Sequence, residues 1–263
     1  MRGELTILKF GGSVLRDEAD VALGVQEIER WCAGGGRVVA VVSAFEGTTD
    51  ALLASARRFD AAADDPAAAM LLATGELTTA SLLGLAVRQG GRGRGRACRV
   101  LNPHSAGLRT RGGGADADPA SIDVAAFGRA IDECGVVVVP GFVGVDAHGH
   151  FALLGRGGSD LTALFAAAEL GAARCRLIKD VDGVYDADPN APGSNARRYR
   201  ELWWDDALRL DGGIVQHKAV RFARSRGLAF EVGSFGREGV TVVGAGPSVL
   251  EGRGVAEGCF AAA

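Results

Sequence analysis

Apolar residues along the chain follow two alternating patterns, short continuous runs and longer segments with helical spacing. Leu5–Phe10 (LTILKF) and residues 37–43 (RVVAVVS) are continuous apolar runs that end at small residues, which is typical of buried strands. Residues 17–32 between them have apolar side chains three to four positions apart and end at three glycines. A strand–helix–strand order with such runs predicts a parallel βαβ unit and an α/β fold.

The rest of the chain repeats this alternation. Residues 66–88 form a long Ala- and Leu-rich segment containing Glu76, whose carboxylate needs a partner or a pocket if it faces inward. Residues 121–134 are a predicted helix with Ser121 as N-cap, and residues 146–150 (DAHGH) a predicted hairpin turn. The other predicted strands are residues 136–139, 151–154, 174–179, 228–232 and 240–243, and the other helices 160–171, 203–210 and 215–225. The small residues after Gly244 predict a tail.

Composition narrows the class of protein and its partners. At 263 residues and 27.0 kDa, with 48% hydrophobic residues, the chain is long enough for one large α/β domain or two small lobes. The net charge of -3 gives no reason to expect nucleic acid or an anionic membrane as partner. The 5 cysteines form no CxxC pair, so we expect reduced thiols in a cytoplasmic protein. We see no N-terminal signal, and no uncharged apolar stretch approaches the roughly 18 residues of a membrane span.

Two glycine-rich segments are predicted to be loops. Residues 88–99 (RQGGRGRGRACR) either contact nucleic acid, as RGG segments do, or form a solvated loop. The segment lacks aromatic residues for base stacking, which favours the solvated loop. Residues 111–119 (RGGGADADP) are predicted to be a flexible connection.

The segment LGRGGSD (residues 154–160) carries the chemistry of an anion site before a predicted helix. Gly155, Gly157 and Gly158 let backbone N–H groups approach a phosphate, and the helix N-terminus adds its dipole. Such glycines are also common in ordinary turns. Arg156 is suited to binding a carboxylate or phosphate through two hydrogen bonds, and Asp160 is either functional or a simple helix cap.

A second loop, DVDGVYDADP (residues 180–189), is rich in carboxylates. Asp180, Asp182, Asp186 and Asp188 either hold Mg²⁺, directly or through water, or shape Asx-turns around Gly183. An EF-hand is not supported, because no Glu closes a loop of the required length.

KFGGS (residues 9–13) repeats the glycine-rich phosphate loop after the first predicted strand. Lys9 is placed as a point charge for a phosphoryl group, although the motif lacks the GK[ST] order of a Walker loop. The two loops, the Lys and the carboxylates together predict phosphoryl transfer, which depends on positioning and charge neutralisation. A carboxylate acceptor needs no general base. The 4 His residues lie outside these loops, and we interpret them as surface or turn residues.

Seven motifs occur in an order and spacing that resemble the amino-acid kinase family, and within it the catalytic domain of aspartokinases. They are KFGGS (residues 9–13), VVSA..GTT (41–49), GE (75–76), PGFVG (140–144), LGRGGSD (154–160), DVDGVYDADP (180–189) and NAR (from residue 195). The resemblance covers about residues 5–241, nearly the whole chain. It implies a three-layer αβα sandwich around a mainly parallel sheet. It also implies an acceptor-binding lobe (residues 1–150), a nucleotide-binding lobe (151–245) and a C-terminal tail (246–263).

The resemblance also implies roles for individual residues. ATP and Mg²⁺ would be the cofactors, and L-aspartate would be phosphorylated on its β-carboxylate to 4-phospho-L-aspartate. Lys9 would stabilise the transferring phosphoryl group, and Asp160 would organise the catalytic ammonium. The acceptor would be surrounded by Ser43, Thr49, Glu76, Phe142, Arg156 and Ser159, with Arg156 at its α-carboxylate and Glu76 at its ammonium. The nucleotide would be bound by Lys9, Gly11, Gly12, Ser13, Gly157, Gly158, Lys179, Asp180, Tyr185 and Asp188.

Four positions depart from the aspartokinase pattern. Ser13 replaces a Thr and keeps the hydroxyl, and Asn190 replaces an Arg that usually meets the phosphates. Gly213 occupies the position of a Lys, so one cationic contact to the nucleotide is lost, whereas Lys179 stands where a Thr is usual. Two interpretations of Lys179 are open: its ammonium replaces the missing one at the phosphates, or it is an exposed residue at the end of a strand.

The resemblance leaves three hypotheses about function. The first is an aspartate kinase, expected to be a homodimer, for which a separate homoserine dehydrogenase is considered as partner. Only about twenty residues follow Thr241, where aspartokinases continue into ACT domains, so we expect no feedback by lysine or threonine within this chain. The second is a kinase of the same fold with another small carboxylate or phosphate acceptor. The third is a catalytically weak regulatory or binding paralogue, against which the intact Lys9, Arg156 and Asp160 argue.

Overall fold

The protein is described by a computed structural model that covers residues 3–62, 64–90, 95–237 and 239–251. Its strands are β1 (Leu5–Phe10), β2 (Arg37–Val42), β3 (Cys98–Val100), β4 (Arg109–Arg111), β5 (Asp118–Ser121), β6 (Val136–Pro140), β7 (Val143–Val145), β8 (Phe151–Leu153), β9 (Arg174–Ile178), β10 (Tyr199–Trp203), β11 (Phe230–Gly233), β12 (Thr241–Gly244) and β13 (Val249–Leu250). Its helices are α1 (Val21–Cys32), α2 (Thr48–Arg57), α3 (Pro66–Gln89), α4 (Val124–Cys134), α5 (Gly158–Leu170), α6 (Trp204–Ala207) and α7 (His217–Arg226).

The main sheet runs in the order β13-β10-β12-β11-β9-β1-β2-β6-β3, and its centre is parallel. Antiparallel pairs occur where β12 meets β11 and β13 meets β10. A smaller sheet, β5-β4-β7-β8, includes the predicted hairpin, whose strands β7 and β8 are antiparallel. The sequence prediction of an α/β fold around a mainly parallel sheet is confirmed.

Helices cover both faces of the main sheet, which completes a three-layer sandwich. Ile7, Val39 and Val137 pack on the face that carries α4, α5 and α7. Leu8 and Val38 pack on the opposite face against α1 and α3. Because both faces are covered, β2 after Arg37 and β6 are apolar throughout and do not alternate with polar residues.

Helix α3 is long and apolar enough to cross a membrane by length and composition alone, but half of the relevant segment is buried within the protein. It packs against β6, β8, α1 and α2. Asp65 caps its first turn by accepting a hydrogen bond from the Ala67 N–H, and Pro66 occupies the first helical position. These contacts are those of a core helix of an α/β protein.

Three sequence predictions are corrected at element boundaries. The predicted helix 121–134 begins at Val124, and its cap is Asp123, which accepts from the Ala126 N–H at 2.9 Å, whereas Ser121 ends β5. The predicted helix 203–210 is shorter, because Trp203 ends β10 and α6 spans only Trp204–Ala207. The predicted connection 111–119 is shorter, because Arg111 ends β4 and Asp118 begins β5, and these two strands pair in antiparallel fashion.

The end of the described chain also differs from the prediction of a tail. Val249–Leu250 forms β13, which pairs with the polar strand β10 at the edge of the main sheet. Residues 252–263 lie outside the described residues, as do residues 91–94 of the glycine- and arginine-rich segment. The boundaries of the two lobes stay a prediction.

The topology brings several candidate loops to one edge of the sheet. Strands β1, β2, β6 and β9 are parallel neighbours, so their carboxyl ends lie on the same side. The residues that follow these strands are Gly11, Ser43, Gly141 and Lys179. In α/β proteins this edge is where ligands bind, and here it gathers the motifs that the sequence separates by more than a hundred positions.

Candidate active site

A buried carboxylate between two ammonium groups forms the centre of the site. Lys9 lies near the end of β1, and its Nζ is 2.7 Å from Asp160 Oδ1 in the first turn of α5. Lys179 directly follows β9, and its Nζ is 2.8 Å from Asp160 Oδ2. The three side chains are 7%, 4% and 13% exposed for Lys9, Asp160 and Lys179. Lys179 is therefore not an exposed residue at a strand end.

The charges of this cluster strongly influence one another. Burial lowers the pKa of Lys9 to about 8, although the Asp160 carboxylate acts in the opposite direction. Burial alone would raise the pKa of Asp160, but Lys9 and Lys179 outweigh it and hold that pKa at about 2. The cluster thus places two basic side chains around one carboxylate. The surplus positive charge is suited to a phosphate that approaches the end of β1.

The glycine-rich loop after β1 packs closely around Lys9. A Cβ on Gly11 would lie 3.1 Å from Lys9 Nζ, and one on Gly12 would lie 2.9 Å from Ala44 O. Ser13 Oγ donates to Asp180 Oδ1 at 3.3 Å, which links this loop to the loop after β9. The loop has little space for side chains, so its backbone can approach a ligand.

Glu76 is a buried carboxylate with an unused acceptor. It lies in α3, is 3% exposed, and its Oε2 has no hydrogen-bond partner among the described residues. Burial raises its pKa to about 7, although the Ala44 N–H and the charge of Lys9 favour the ionised form. A buried polar atom without a partner is rare in proteins and points to a ligand that supplies one.

The loop between β6 and β7 packs directly on the first turn of α5. Phe142 has a φ of 66°, which is unusual for a residue with a Cβ, and its N–H donates to Thr162 Oγ1 at 3.1 Å. A Cβ on Gly158 would lie 2.9 Å from Phe142 Cδ2, and one on Gly141 would lie 2.7 Å from Ser159 Cβ. Strained backbone of this kind is concentrated at ligand sites.

The remaining acceptor candidates are more accessible. Ser43 directly follows β2 and is half-buried, and its N–H donates to Phe10 O at 3.0 Å. Thr49 lies in the first turn of α2 and is also half-buried. Arg156 is exposed and borders an open cavity of about 430 Å³.

A larger cavity of about 560 Å³ lies between the loop after β9 and the segment before α7. Its apolar wall includes Val184, Leu202 and Phe230, and its polar residues include Tyr185 and Asp188. A pocket of this size with an apolar wall and few polar groups is typical of a small-molecule site.

Most carboxylates of the acidic loop stabilise the loop itself. Asp182 accepts from Tyr185 Oη at 2.8 Å, and Asp186 accepts from the Arg197 N–H at 2.7 Å. Asp188 accepts from the Asn190 N–H at 2.8 Å, which is an Asx-turn. Asp180 is exposed and contacts the glycine-rich loop through its hydrogen bond with Ser13. Among the described residues, no group of three or more His, Cys, Asp or Glu side chains is placed to hold a metal ion.

The sequence analysis did not identify the residue that anchors the segment between β11 and β12. Arg176 is 2% exposed within β9, and its Nη2 donates to Ser234 O at 3.2 Å and to Arg237 O. Phe235 of the same segment stacks on Phe10 with ring centroids 5.8 Å apart. The segment is thereby fixed beside the end of β1. The sequence feature that could have identified Arg176 is a basic residue within a predicted buried strand.

Comparison with known proteins gives the family. The sequence profile of the amino acid kinase family matches residues 4–233. The chain belongs to this family. Among curated members of the amino acid kinase family, it is 34% identical over 243 residues to an aspartokinase of Bacillus sp. (strain MGA3), covering 91% of this chain and 58% of that protein. It is 32% identical over 233 residues to an aspartokinase of Thermus thermophilus, covering 88% of this chain and 56% of that protein.

Solved structures in the amino acid kinase family share the fold. The aspartate kinase of Synechocystis superposes with a TM-score of 0.76 at 28% identity, covering 92% of this chain and 40% of that chain. Escherichia coli aspartokinase III in complex with aspartate and ADP has a TM-score of 0.75 at 24% identity, covering 92% of this chain and 64% of that chain. The chain thus spans little more than half the length of the curated aspartokinases that it matches.

Proposed function

We propose that this chain carries the catalytic domain of an aspartate kinase, which transfers the γ-phosphoryl group of ATP to the β-carboxylate of L-aspartate. The product would be 4-phospho-L-aspartate. The observation that carries the proposal is the buried cluster in which Asp160 holds Lys9 and Lys179 at the glycine-rich loop. Aspartokinases that are 32–34% identical to the chain support the choice of acceptor.

In the proposed reaction the protein supplies position and charge. Lys9 stabilises the negative charge of the transferring phosphoryl group. Asp160 holds the Lys9 ammonium in position through their ion pair. Lys179 shares this carboxylate and so adds a second cation at the same point. Because the acceptor is itself a carboxylate, the transfer requires no general base.

The acceptor would be bound through its two charged ends. Glu76 offers its unpartnered Oε2 to the ammonium, and Arg156 can bind the α-carboxylate through two hydrogen bonds. Ser43, Thr49, Phe142 and Ser159 complete the proposed acceptor pocket.

The nucleotide would occupy the 560 Å³ cavity, with its base against the apolar wall and its phosphates toward β1. The proposed phosphate contacts come from Gly11, Gly12, Ser13, Gly157, Gly158 and Lys179, and Tyr185 and Asp188 lie at the cavity. Magnesium bound to nucleotides uses one or two protein carboxylates together with the phosphates. Asp180 with Ser13 fits that donor set, and these two residues would hold Mg²⁺, which neutralises phosphate charge when bound.

The decisive experiment is a hydroxamate assay of acyl phosphate formation over a panel of amino acids with ATP and Mg²⁺. Activity with aspartate above all other acceptors is the expected result. A clear preference for another acceptor selects the second candidate, a kinase of the same fold with a different substrate. The observation that favours this second candidate is the departure from the aspartokinase pattern at Ser13, Lys179 and Gly213. If no acceptor is phosphorylated, the result supports the third hypothesis, a catalytically weak regulatory or binding paralogue.

Glu76→Gln is expected to raise the acceptor KM about 10- to 100-fold, because a charge-assisted hydrogen bond is lost. In the unsubstituted protein the acceptor KM should rise as the pH falls below about 7, where Glu76 becomes protonated, and this dependence should vanish in the variant. Steady-state kinetics as a function of pH measures both effects. Glu133→Gln, on the exposed face of α4, is the control and should retain the parent profile.

Glu76→Gln should weaken acceptor binding but stabilise the folded protein. The pKa of Glu76 is raised from 4.5 to about 7, so the folded state binds more protons than the unfolded state between these values, and stability falls as the pH rises through them. Above about pH 7, Glu76→Gln should therefore raise the free energy of unfolding by about 1 to 3 kcal/mol. A variant that is destabilised there would contradict the assignment of Glu76 as an uncompensated buried carboxylate.

We also propose a homodimer, supported by the solvent face of α3. Between Met70 and Leu85 the exposed residues of this face are uncharged, namely Met70, Thr74, Thr78, Ser81 and Leu85. In an antiparallel pair of copies, Arg88 near one end of α3 would approach the partner copy of Asp65 at the other end, which is a complementary arrangement. Sedimentation at the monomer mass would contradict this proposal.

A cytoplasmic location is proposed as well. Cys32, Cys98, Cys134 and Cys175 are free thiols in the part of the chain that the structure describes, and thiols persist in reducing compartments. Cell fractionation with an antibody to the protein tests this location.

A further inference from the structure

Lys218, the second residue of α7, holds together two segments on the acceptor side of the site. Its Nζ donates hydrogen bonds to Asp116 Oδ1 at 2.7 Å, to Ala117 O at 2.9 Å and to Leu154 O at 3.1 Å. Asp118 Oδ1 lies 3.3 Å from the same nitrogen. An ammonium has three N–H donors, so these contacts use its full hydrogen-bonding capacity.

The segments that Lys218 contacts lead into the turn that carries Arg156. Leu154 directly precedes this turn, and its N–H donates to Phe142 O in the β6–β7 loop at 2.8 Å. Gly155 has a φ of 75° and packs so closely on Asp116 that a Cβ would overlap the carboxylate. One side of the turn is therefore fixed by residues that Lys218 binds.

The other side of the turn is fixed by Gln216, the residue that directly precedes α7. Gly157 has a φ of 72°, and a Cβ there would lie 2.5 Å from the Cβ of Gln216, which stands two positions before Lys218. Gln216 Nε2 donates to Gly212 O at 3.0 Å. Gly212 lines both the cavity beside Arg156 and the larger cavity proposed for the nucleotide. The contacts around Lys218 thus connect the two proposed ligand sites.

Lysine is rare in this chain, and position 218 carries one of its three lysines. Among 29 basic residues the chain has Lys only at positions 9, 179 and 218, and Arg at the others. Two of these ammonium groups bind Asp160, and the third binds the oxygens around the Arg156 turn. A compact ammonium can direct its donors to acceptors in three directions, whereas a planar guanidinium cannot.

We propose that Lys218 is a positioning residue that holds the Arg156 turn in its binding geometry and joins it to the wall of the nucleotide cavity. The inference rests on the proposed function for the identity of the acceptor. Arg156 is exposed, so binding through it requires an ordered turn. A turn that is ordered in advance loses less entropy when the acceptor binds, and its effect appears in affinity and not in the chemical step.

Lys218→Met is expected to raise the acceptor KM about tenfold and to change kcat by less than about threefold. The tenfold rise in KM corresponds to a loss of about 1.4 kcal/mol of binding free energy. Lys218→Arg should have an acceptor KM between those of the parent and the Met variant. Arg221→Met, on the exposed surface of α7 three positions later, is the matched control and should retain the parent values. An unchanged acceptor KM in Lys218→Met, or a fall in kcat as large as the fall in kcat/KM, overturns the proposal.

Hydrogen exchange without substrates provides a second test that does not depend on the proposed function. In Lys218→Met, exchange should rise at the amides of Ala117, Leu153 and Leu154, whose hydrogen bonds lie in the held segments, and stay unchanged in β1 and β9. Asp116→Asn removes the closer of the two carboxylates that pair with Lys218 but leaves the ammonium, and should produce a smaller rise at the same amides. Unchanged exchange at these amides, or a uniform rise throughout the chain in both variants, rejects the positioning role.

The two tests separate the failure of this inference from the failure of the proposed function. If the parent protein phosphorylates no acceptor, the proposed function is wrong, and the exchange measurement still decides whether Lys218 orders the turn. If aspartate is phosphorylated but the KM and exchange are unaffected by Lys218→Met, the function stands and the role of Lys218 is rejected.

Discussion

Asp160→Asn should lower kcat about 10³-fold and destabilise the fold by about 3 to 5 kcal/mol near pH 6. The carboxylate is 4% exposed and is the partner of both Lys9 and Lys179, so its removal leaves two buried ammonium groups without a counter-charge. The loss of activity follows because the Lys9 ammonium is no longer oriented toward the transferring group. Chemical denaturation and steady-state kinetics measure the two effects separately.

The pH dependence of this destabilisation identifies its cause. The pKa of Lys9 is about 8 with Asp160 present and should fall further without it, whereas in the unfolded chain it returns to 10.5. Between these values the unfolded state binds more protons, so the stability of Asp160→Asn should recover as the pH rises toward about 9. A deficit that is the same at all pH values would contradict buried, uncompensated charge as the cause.

A matched control separates this effect from the general loss of an ion pair. Asp205 on α6 pairs with Arg224 at 3.0 Å, and the Arg side chain is 53% exposed. Asp205→Asn should therefore change the free energy of unfolding by less than about 1 kcal/mol, with activity retained. Equal effects of the two substitutions would show that burial of the Lys9–Asp160–Lys179 cluster has no special weight.

Lys179→Thr should raise the KM for ATP about 10- to 100-fold, which corresponds to the loss of one charged contact to phosphate. The Lys179 ammonium is bound to the same carboxylate as Lys9, so it lies close to the proposed path of the phosphoryl group. Thr is the residue that the resemblance to aspartokinases implies for this position. Calorimetric titration with ATP and Mg²⁺ measures the affinity directly.

The same idea predicts a rescue. Gly213 lines the cavity proposed for the nucleotide, its φ is not in the left-handed region, and a Cβ there would first meet the Asp211 carboxylate, at 3.1 Å. Adding Gly213→Lys to Lys179→Thr should therefore restore at least about tenfold of the lost affinity. Gly213→Ser, which adds a side chain without charge, is the control. If the affinity for ATP is unchanged in Lys179→Thr, the idea that Lys179 replaces the missing Lys is wrong.

The candidate site was predictable from sequence to an unequal degree. Lys9 and Asp160 were identified together through motifs, and their 2.7 Å ion pair in the structure agrees with that pairing, although their catalytic role stays a prediction. Lys179 was identified as a departure, but the sequence left its exposure open. Lys218 was not identified at all, because its acceptors include two backbone carbonyls that no residue type reveals.

The fold shows a similar division. The central strands β1, β2 and β6 were predicted correctly, because short, largely apolar runs are typical of strands that are buried on both faces of a sheet. Strand β10 (YRELW) was missed, and Trp203 was placed in a helix, because a strand with exposed polar residues, next to the edge of the sheet, has no such pattern. Its strand conformation comes from pairing with β12 and β13, which follow it by about forty residues.

The sequence by itself determined the α/β class, the order of the glycine-rich and acidic loops, and the family to which their residues belong. These are local properties, since apolar periodicity and turn residues act over a few positions. Only the tertiary structure decided that one buried carboxylate binds two lysines, that Glu76 keeps an unpaired oxygen, and that Lys218 closes on the Arg156 turn. Burial and ion pairing bring together residues as distant in the chain as Lys9 and Lys179, which are 170 positions apart, so no short segment contains that information.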